Sequence, residues 1–185
     1  MKNIFRSLFL SSVGIASIGW ISFIFIGMCL SEPPLGLVEY FANNIIHAEQ
    51  FEESGQSFTE LSEDLFLLIG HMNLFLLSFT ILMTLSWATG SHYLNIDAPG
   101  KAKIYSIHWL IFTGIYVAVA VGAILWFTKS ATYFASDYIG GGGETLLFFS
   151  HTIYYFLIYY VGVVLGTARF ARSSVLFANK LPGNL

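Results

Sequence analysis

Four of the five histidines lie in, or at the end of, long apolar stretches, and no other residues are better placed to do chemistry. His71 stands six residues inside a stretch that opens at Leu65, and His151 six residues inside one that opens at Thr145. At the rise of an α-helix both imidazoles would sit about 9 Å below the same membrane surface. An ionisable group within a membrane helix is a functional candidate by default, because burying it in hydrocarbon is costly. Two neutral imidazoles that face each other at one depth can hold the iron of a b-type haem. His71 and His151 are therefore candidate axial ligands of haem b. His92 and His108 form a poorer second pair, since His92 falls just past the end of its stretch. Two other readings stand beside this one. The histidines can be structural, each bonded to a tyrosine, serine or carbonyl of a neighbouring helix, or they can serve a proton or quinone site. Haem propionates would find Lys129 as the only cation on their side of the membrane. His47 lies in an acidic segment and is expected to be solvated.

Other chemistries lack their residues. There is no H-E-x-x-H, no G-x-S-x-G and no pair of carboxylates within an apolar stretch. Gly140 to Gly143 is not followed by Lys-Ser/Thr, and Glu144 would repel a phosphate, so this run reads as a flexible connection rather than a phosphate loop. Cys29 is the only cysteine, which rules out an intramolecular disulfide or a cysteine-based metal site. With a net charge of −3, no nucleic-acid partner is expected. No internal repeat is visible, which weakens a transporter built on inverted repeats. A channel or transporter ranks last among the functions considered, because the spans offer no charged pore lining.

The elements that must carry these histidines follow from hydropathy. The chain is 56% hydrophobic and 10% charged, whereas soluble domains average about 25% charged residues. A water-soluble fold of this size would have too few charges to cover its surface. Four stretches reach the roughly 20 apolar residues that a bilayer core requires. They are 7–30, 65–89, 104–128 and 145–168, and the last three hold no charge. Backbone groups in hydrocarbon must pair internally, so these stretches are expected as helices. The predicted fold is an all-α integral membrane protein, a four-transmembrane-helix bundle in a single domain, residues 1–185. The first stretch is too long for the core of a signal peptide and lacks an A-x-A site, so it reads as an uncleaved span.

Basic residues set the orientation. Lys2 and Arg6 precede the first span, Lys101 and Lys103 lie between the second and third, and Arg169, Arg172 and Lys180 follow the fourth. Seven of the eight basic residues thus fall on one side, and only one of eleven acids, Asp97, joins them. That side is assigned to the cytoplasm, which puts both termini there, in what reads as a bacterial inner membrane. Segment 90–103 is then a cytoplasmic loop and 169–185 a cytoplasmic tail, while 31–64 and 129–144 lie outside. Within 31–64, Leu37, Val38, Phe41, Ile45, Ala48 and Phe51 recur at helical spacing, which predicts a short amphipathic helix over about 34–53. Its Glu39, Glu49, Glu52 and Glu53 argue against docking on anionic lipid and for a lid or a partner surface. Ser57-Phe58-Thr59-Glu60 has the form of a capping box opening the helix into the second span. Trp87, Tyr93, Trp109, Trp126, Tyr133 and Tyr138 suit an aromatic belt.

Small and polar residues predict how the spans pack. Gly162 and Gly166 form a G-x-x-x-G on the face that also carries His151, Tyr155 and Tyr159. Ser12, Ala16, Gly19 and Gly27 make a comparable stripe on the first span, and Tyr116, Ala120 and Ala123 cluster on the third. The second span is polar on two faces, one bearing His71, Ser78, Ser86, Thr89 and His92, the other Asn73, Thr80 and Thr84. A helix polar on both sides is expected to touch protein on both. Beyond the lipid bilayer, the expected partners are therefore other membrane subunits, met through the second span and the acidic 34–53 helix.

One local resemblance bears on the haem reading. The sequence Ser106-Ile107-His108-Trp109-Leu110, within 104–121, resembles the histidine-bearing helix start of cytochrome b561-type proteins. The likeness covers only this short stretch. The order of histidines departs from that family, whose first span bears one; here the first span has none. The functional expectation is a non-catalytic subunit of a larger membrane complex, of a secretion, conjugation or energy-converting kind, with a quinone-linked b-type cytochrome as the alternative.

Overall fold

The computed structural model describes residues 1–31, 58–93, 106–129, 141–167, 174, 175 and 178. Those residues are organised by four long helices: α1, Lys2–Leu30; α2, Phe58–Tyr93; α3, Ser106–Lys129; and α4, Gly141–Gly166. Each is long and apolar enough to cross a membrane. An uncharged apolar run leaves the helix as the one local structure that pairs every backbone group; α1 and α2 extend beyond their uncharged runs, taking in Lys2 and Arg6 and Glu60, Glu63 and Asp64. The segment expected as an amphipathic helix over 34–53 lies outside the described residues, as do Ser57, His47, and the basic residues of the loop and tail. α4 begins at Gly141, so three of the four glycines read as a flexible connection form its first turn instead. Backbone N–H groups of a first turn need no intrahelical partner, and the apolar body behind them nucleates the helix.

Each helix contributes to two compact units. The first comprises Met1–Trp20, Ser78–Val119 and Tyr155–Leu185; the second comprises Ile21–Leu77 and Ala120–Tyr154.

The core of the first unit is a polar and aromatic seam. From α1 it takes Ser7, Ser11, Gly14, Ile15 and Gly19, spaced by three and four residues so that they fall on one face. Against this face α4 sets Gly162 and Gly166. A Cβ placed on Gly14 would lie 3.0 Å from the Cα of Gly162, and one placed on Gly162 would lie 2.6 Å from Cγ2 of Thr84. A Cβ on Gly166 would overlap Oγ of Ser11. The G-x-x-x-G is therefore consumed within the chain: it lets α1 and α2 reach the α4 backbone. Ser11 Oγ donates to the carbonyl of Gly162 at 3.0 Å, a bond available only at this short separation.

Of the α1 stripe expected from the sequence, Gly19 is buried, while Ser12, Ala16 and Gly27 are exposed. The buried face is rotated by one residue, about 100°. Both faces of α1 carry small residues, and what selects between them is the fit of Ser11 and Gly14 to the two glycines of α4. The hydroxyl of Ser12 bonds its own helix at the carbonyl of Leu8, 2.8 Å away.

In the second unit the close approach is made by Gly70 of α2. A Cβ there would stand 2.9 Å from that of Cys29. Cys29 and Phe66 are buried together, with Phe25 against them. Leu65, Ile69, Met72, Leu76, Ala120, Ile124 and Leu147 complete an apolar core into which Asn73 and Ser22 intrude.

Candidate functional site

α2 presents its polar residues very unequally. Asn73, Thr80 and Thr84 are buried, while His71, Ser78 and Ser86 are exposed. His71 and Asn73 are two residues apart, so their side chains leave the helix about 200° apart. This separates the two histidines proposed as a haem pair. His151 Nε2 lies 3.1 Å from Nδ2 of Asn73, on the buried side of α2, and His71 lies on the exposed side.

The hydrogen bonds of His151 fix its tautomer. Its Nδ1 is 2.8 Å from the carbonyl of Leu147, which can only accept, so Nδ1 carries the proton. Nε2 is then the acceptor, and the amide of Asn73 donates to it. The second N–H of that amide goes to the carbonyl of Ile69 at 2.9 Å. A neutral His151 with both nitrogens engaged offers no lone pair to iron unless it leaves Asn73. His71 has a related arrangement with a different outcome. Its Nδ1 donates to the carbonyl of Leu67 at 2.8 Å, and its ring is exposed.

His92 and His108 belong to the first unit and differ as much. His92 is half-buried and hydrogen-bonds the hydroxyl of Ser7 through Nε2. His108 is exposed. Among the described residues there is no group of three or more His, Cys, Asp or Glu side chains that could hold a metal ion. His71, His92 and His151 each bond a carbonyl, a serine or an asparagine.

Around His151 the second unit contains a cavity of about 320 Å³, lined by Ser22 and Phe25 of α1, Asn73 of α2, and Ser150, His151 and Tyr154 of α4. Exposed Ile21 also lines it, so the cavity reaches the surface of the unit. Ser22 is 3% exposed, and its Oγ finds no hydrogen-bond partner among the described residues. A buried hydroxyl left unpaired costs about 1–3 kcal/mol. Asn73 was legible as a polar residue on the face opposite His71. Ser22 carried no sequence signal, because serines recur throughout α1 and only packing distinguishes this one.

The first unit also holds unpaired buried groups, Thr84 Oγ1 and Trp109 Nε1, but its main polar residues form a closed chain. Tyr116 OH donates to the carbonyl of Tyr155 at 2.9 Å. Its single proton is thereby used, so Thr80, 2.7 Å away, donates to it. Thr113 and Tyr159 share a bond of 3.0 Å. The rings of Tyr116 and Tyr159 stack with centroids 4.2 Å apart and planes 12° apart, and Phe79 stacks on Tyr116 at 5.7 Å. Trp87 and Trp109, expected at the interface, are both buried here; Trp87 donates to Thr167 at 3.2 Å and packs on Phe112. Trp126 is exposed.

α3 carries a feature that the sequence reading passed over. Gly114, Ala118 and Gly122 recur every four residues and are all exposed, and a Cβ on either glycine would meet nothing within 4 Å. The signal was present as a small-x-x-x-small pattern, masked by the neighbouring Tyr116, Ala120 and Ala123. Tyr116 and Ala120 form the buried face and Ala123 is half-buried.

Comparison of the chain with protein-family models, curated proteins and solved structures finds no match.

Proposed function

We propose that this chain is a non-catalytic integral membrane subunit of a larger membrane assembly, with both termini on the cytoplasmic side of a bacterial inner membrane. The observation that supports it most directly is the outward face of α3. Only 22% of its most apolar window is buried within the chain, against 50% for α2, and Gly114, Ala118 and Gly122 stand on the uncovered side. Lipid tails gain nothing from small residues, whereas a partner helix can approach its backbone closely over them. The G-x-x-x-G of α4 is already occupied by α1 and so is not the contact; α3 supplies a second, unfilled surface of the same kind. The exposed His71, Ser78 and Ser86 of α2 point the same way, since polar side chains facing hydrocarbon gain from a protein neighbour. The acidic 34–53 segment would add a contact outside the membrane, and the segregation of basic residues supports the orientation.

The direct test compares the native complex with a variant. Extracted in a mild detergent, the wild-type chain should migrate on a native gel well above its monomer mass. Gly114→Leu together with Ala118→Leu should release it as a folded monomer, because neither position touches the chain's own core. A wild-type chain that runs as a monomer, or a double variant that stays in the complex, overturns the assignment. Reporter fusions at Met1 and Leu185 test the orientation and should both report the cytoplasm.

A further inference from the structure

We infer that the cavity between Ser22 and His151 is a binding site for a neutral, membrane-dissolved molecule with a carbonyl-bearing ring, of the quinone class. The inference goes beyond a role as a subunit and does not depend on it.

Three properties of the cavity specify the ligand. The first is charge. No charged side chain lines it among the described residues, and the hydrogen bonds of His151 hold that imidazole in a neutral tautomer. An anionic or cationic head would be buried there without a counter-ion, which the hydrocarbon region strongly disfavours.

The second is depth. Ser22 stands eight residues from Leu30, Asn73 eight from Leu65 and His151 six from Thr145, each counted from the nearer end of its own span. These offsets correspond to about 9–12 Å along each helix. Phospholipid headgroups remain in the interfacial layer, above that level. A neutral carbonyl compound reaches it freely.

The third is the unpaired hydroxyl. Ser22 Oγ is almost fully buried, lines the cavity, and is the one polar lining atom that the described residues leave without a partner. A hydroxyl in this position can donate to a carbonyl oxygen of the ligand, recovering the bond it lacks. The walls suit a flat ring: Phe25 and Tyr154 are aromatic, and the volume of about 320 Å³ holds a substituted one-ring or two-ring head. Because exposed Ile21 borders the cavity, an apolar tail can leave it into lipid.

The experiment uses the full chain in phosphatidylcholine nanodiscs and a photoreactive azidoquinone, with the label located by peptide mass spectrometry. Labelling should saturate, should fall on peptides containing Ser22 or His151, and should be competed by decylubiquinone. Ser22→Ala should weaken competition about three- to tenfold, the loss of one hydrogen bond. Ser22→Leu, which fills the cavity, should abolish labelling while circular dichroism shows the helices intact. Ser17→Ala serves as the control, since Ser17 is exposed and bonds the carbonyl of Val13; it should change nothing. If Ser22→Leu does not fold, Ser22→Ala alone decides. Labelling that does not saturate, that falls elsewhere, or that is unchanged in Ser22→Ala overturns the inference. Competition by diacylglycerol as effective as that by decylubiquinone overturns the ring selectivity, and with it the assignment to quinones.

Discussion

The two units use the same four helices and similar residues. Among the described residues each leaves two buried polar groups unpaired, Thr84 and Trp109 in the first and Ser22 and Thr152 in the second, but of these only Ser22 lines the cavity described above. In the first, hydroxyls and rings close on one another: Thr80 donates to Tyr116, Tyr116 to the carbonyl of Tyr155, and Thr113 pairs with Tyr159, with three rings stacked among them. In the second, the Asn73–His151 pair stands at the wall of a cavity, and Ser22 is left with an unpaired hydroxyl. A closed network gives stability and a single packing arrangement. A cavity with an unpaired group forgoes stability and creates room for a ligand. The difference teaches that polarity within a span does not by itself mark a functional site. What marks one is an unsatisfied polar group at the wall of a cavity, as at Ser22.

Substitutions can break this contrast, beginning with the largest effect. Gly166→Leu would drive a side chain into Ser11 and Ala88, and overpacking of this kind costs about 3 kcal/mol or more. Thermal unfolding in detergent should show a large loss of stability. Gly27→Leu, where a Cβ meets nothing within 4 Å, should leave unfolding unchanged within error. Next comes Tyr116→Phe, which removes two buried hydrogen bonds, to the carbonyl of Tyr155 and to Thr80. The expected loss is about 1–2 kcal/mol, read by the same assay.

His151→Ala ranks third. It enlarges the cavity and takes the acceptor from Asn73, at a cost of about 1–2 kcal/mol, whereas His71→Ala should fall within about 0.5 kcal/mol for the isolated chain. The same two variants sharpen the haem question. In protein made with haem supplied, a reduced-minus-oxidised spectrum whose bands vanish in both variants would require one iron shared by His71 and His151. The arrangement of Asn73 predicts that no such shared signal is found. The smallest effect has the opposite sign: Ser22→Ala, in the absence of ligand, should be neutral or stabilise by up to about 1 kcal/mol, because it removes an unpaired buried hydroxyl. A clear destabilisation would mean that Ser22 has a partner within the chain.

Much of the fold was legible in the amino-acid order, because each span's hydropathy decides its own fate without reference to the others. The place of each histidine along its helix was legible for the same reason: it is a count along one chain. Facing was not, since it depends on rotation about the axis. His71 and Asn73 are both polar and two residues apart, and nothing local says which is turned inward. Ser11 and Ser12 pose the same problem one residue apart.

The sequence alone therefore determined that four long apolar helices form and which stretches of the chain they occupy. These follow from the demand that every backbone group in hydrocarbon be paired within its own segment. Only the tertiary structure decided which faces meet. It turned Ser11 and Gly14 rather than Ser12 and Ala16 toward Gly162 and Gly166, committed His151 to Asn73, left Ser22 beside a cavity and left Gly114, Ala118 and Gly122 uncovered. Inside a membrane both helix surfaces are apolar enough to face lipid, so the choice falls to close-range fit between backbones and small side chains. Such fit is a property of pairs of helices and cannot be read from either one.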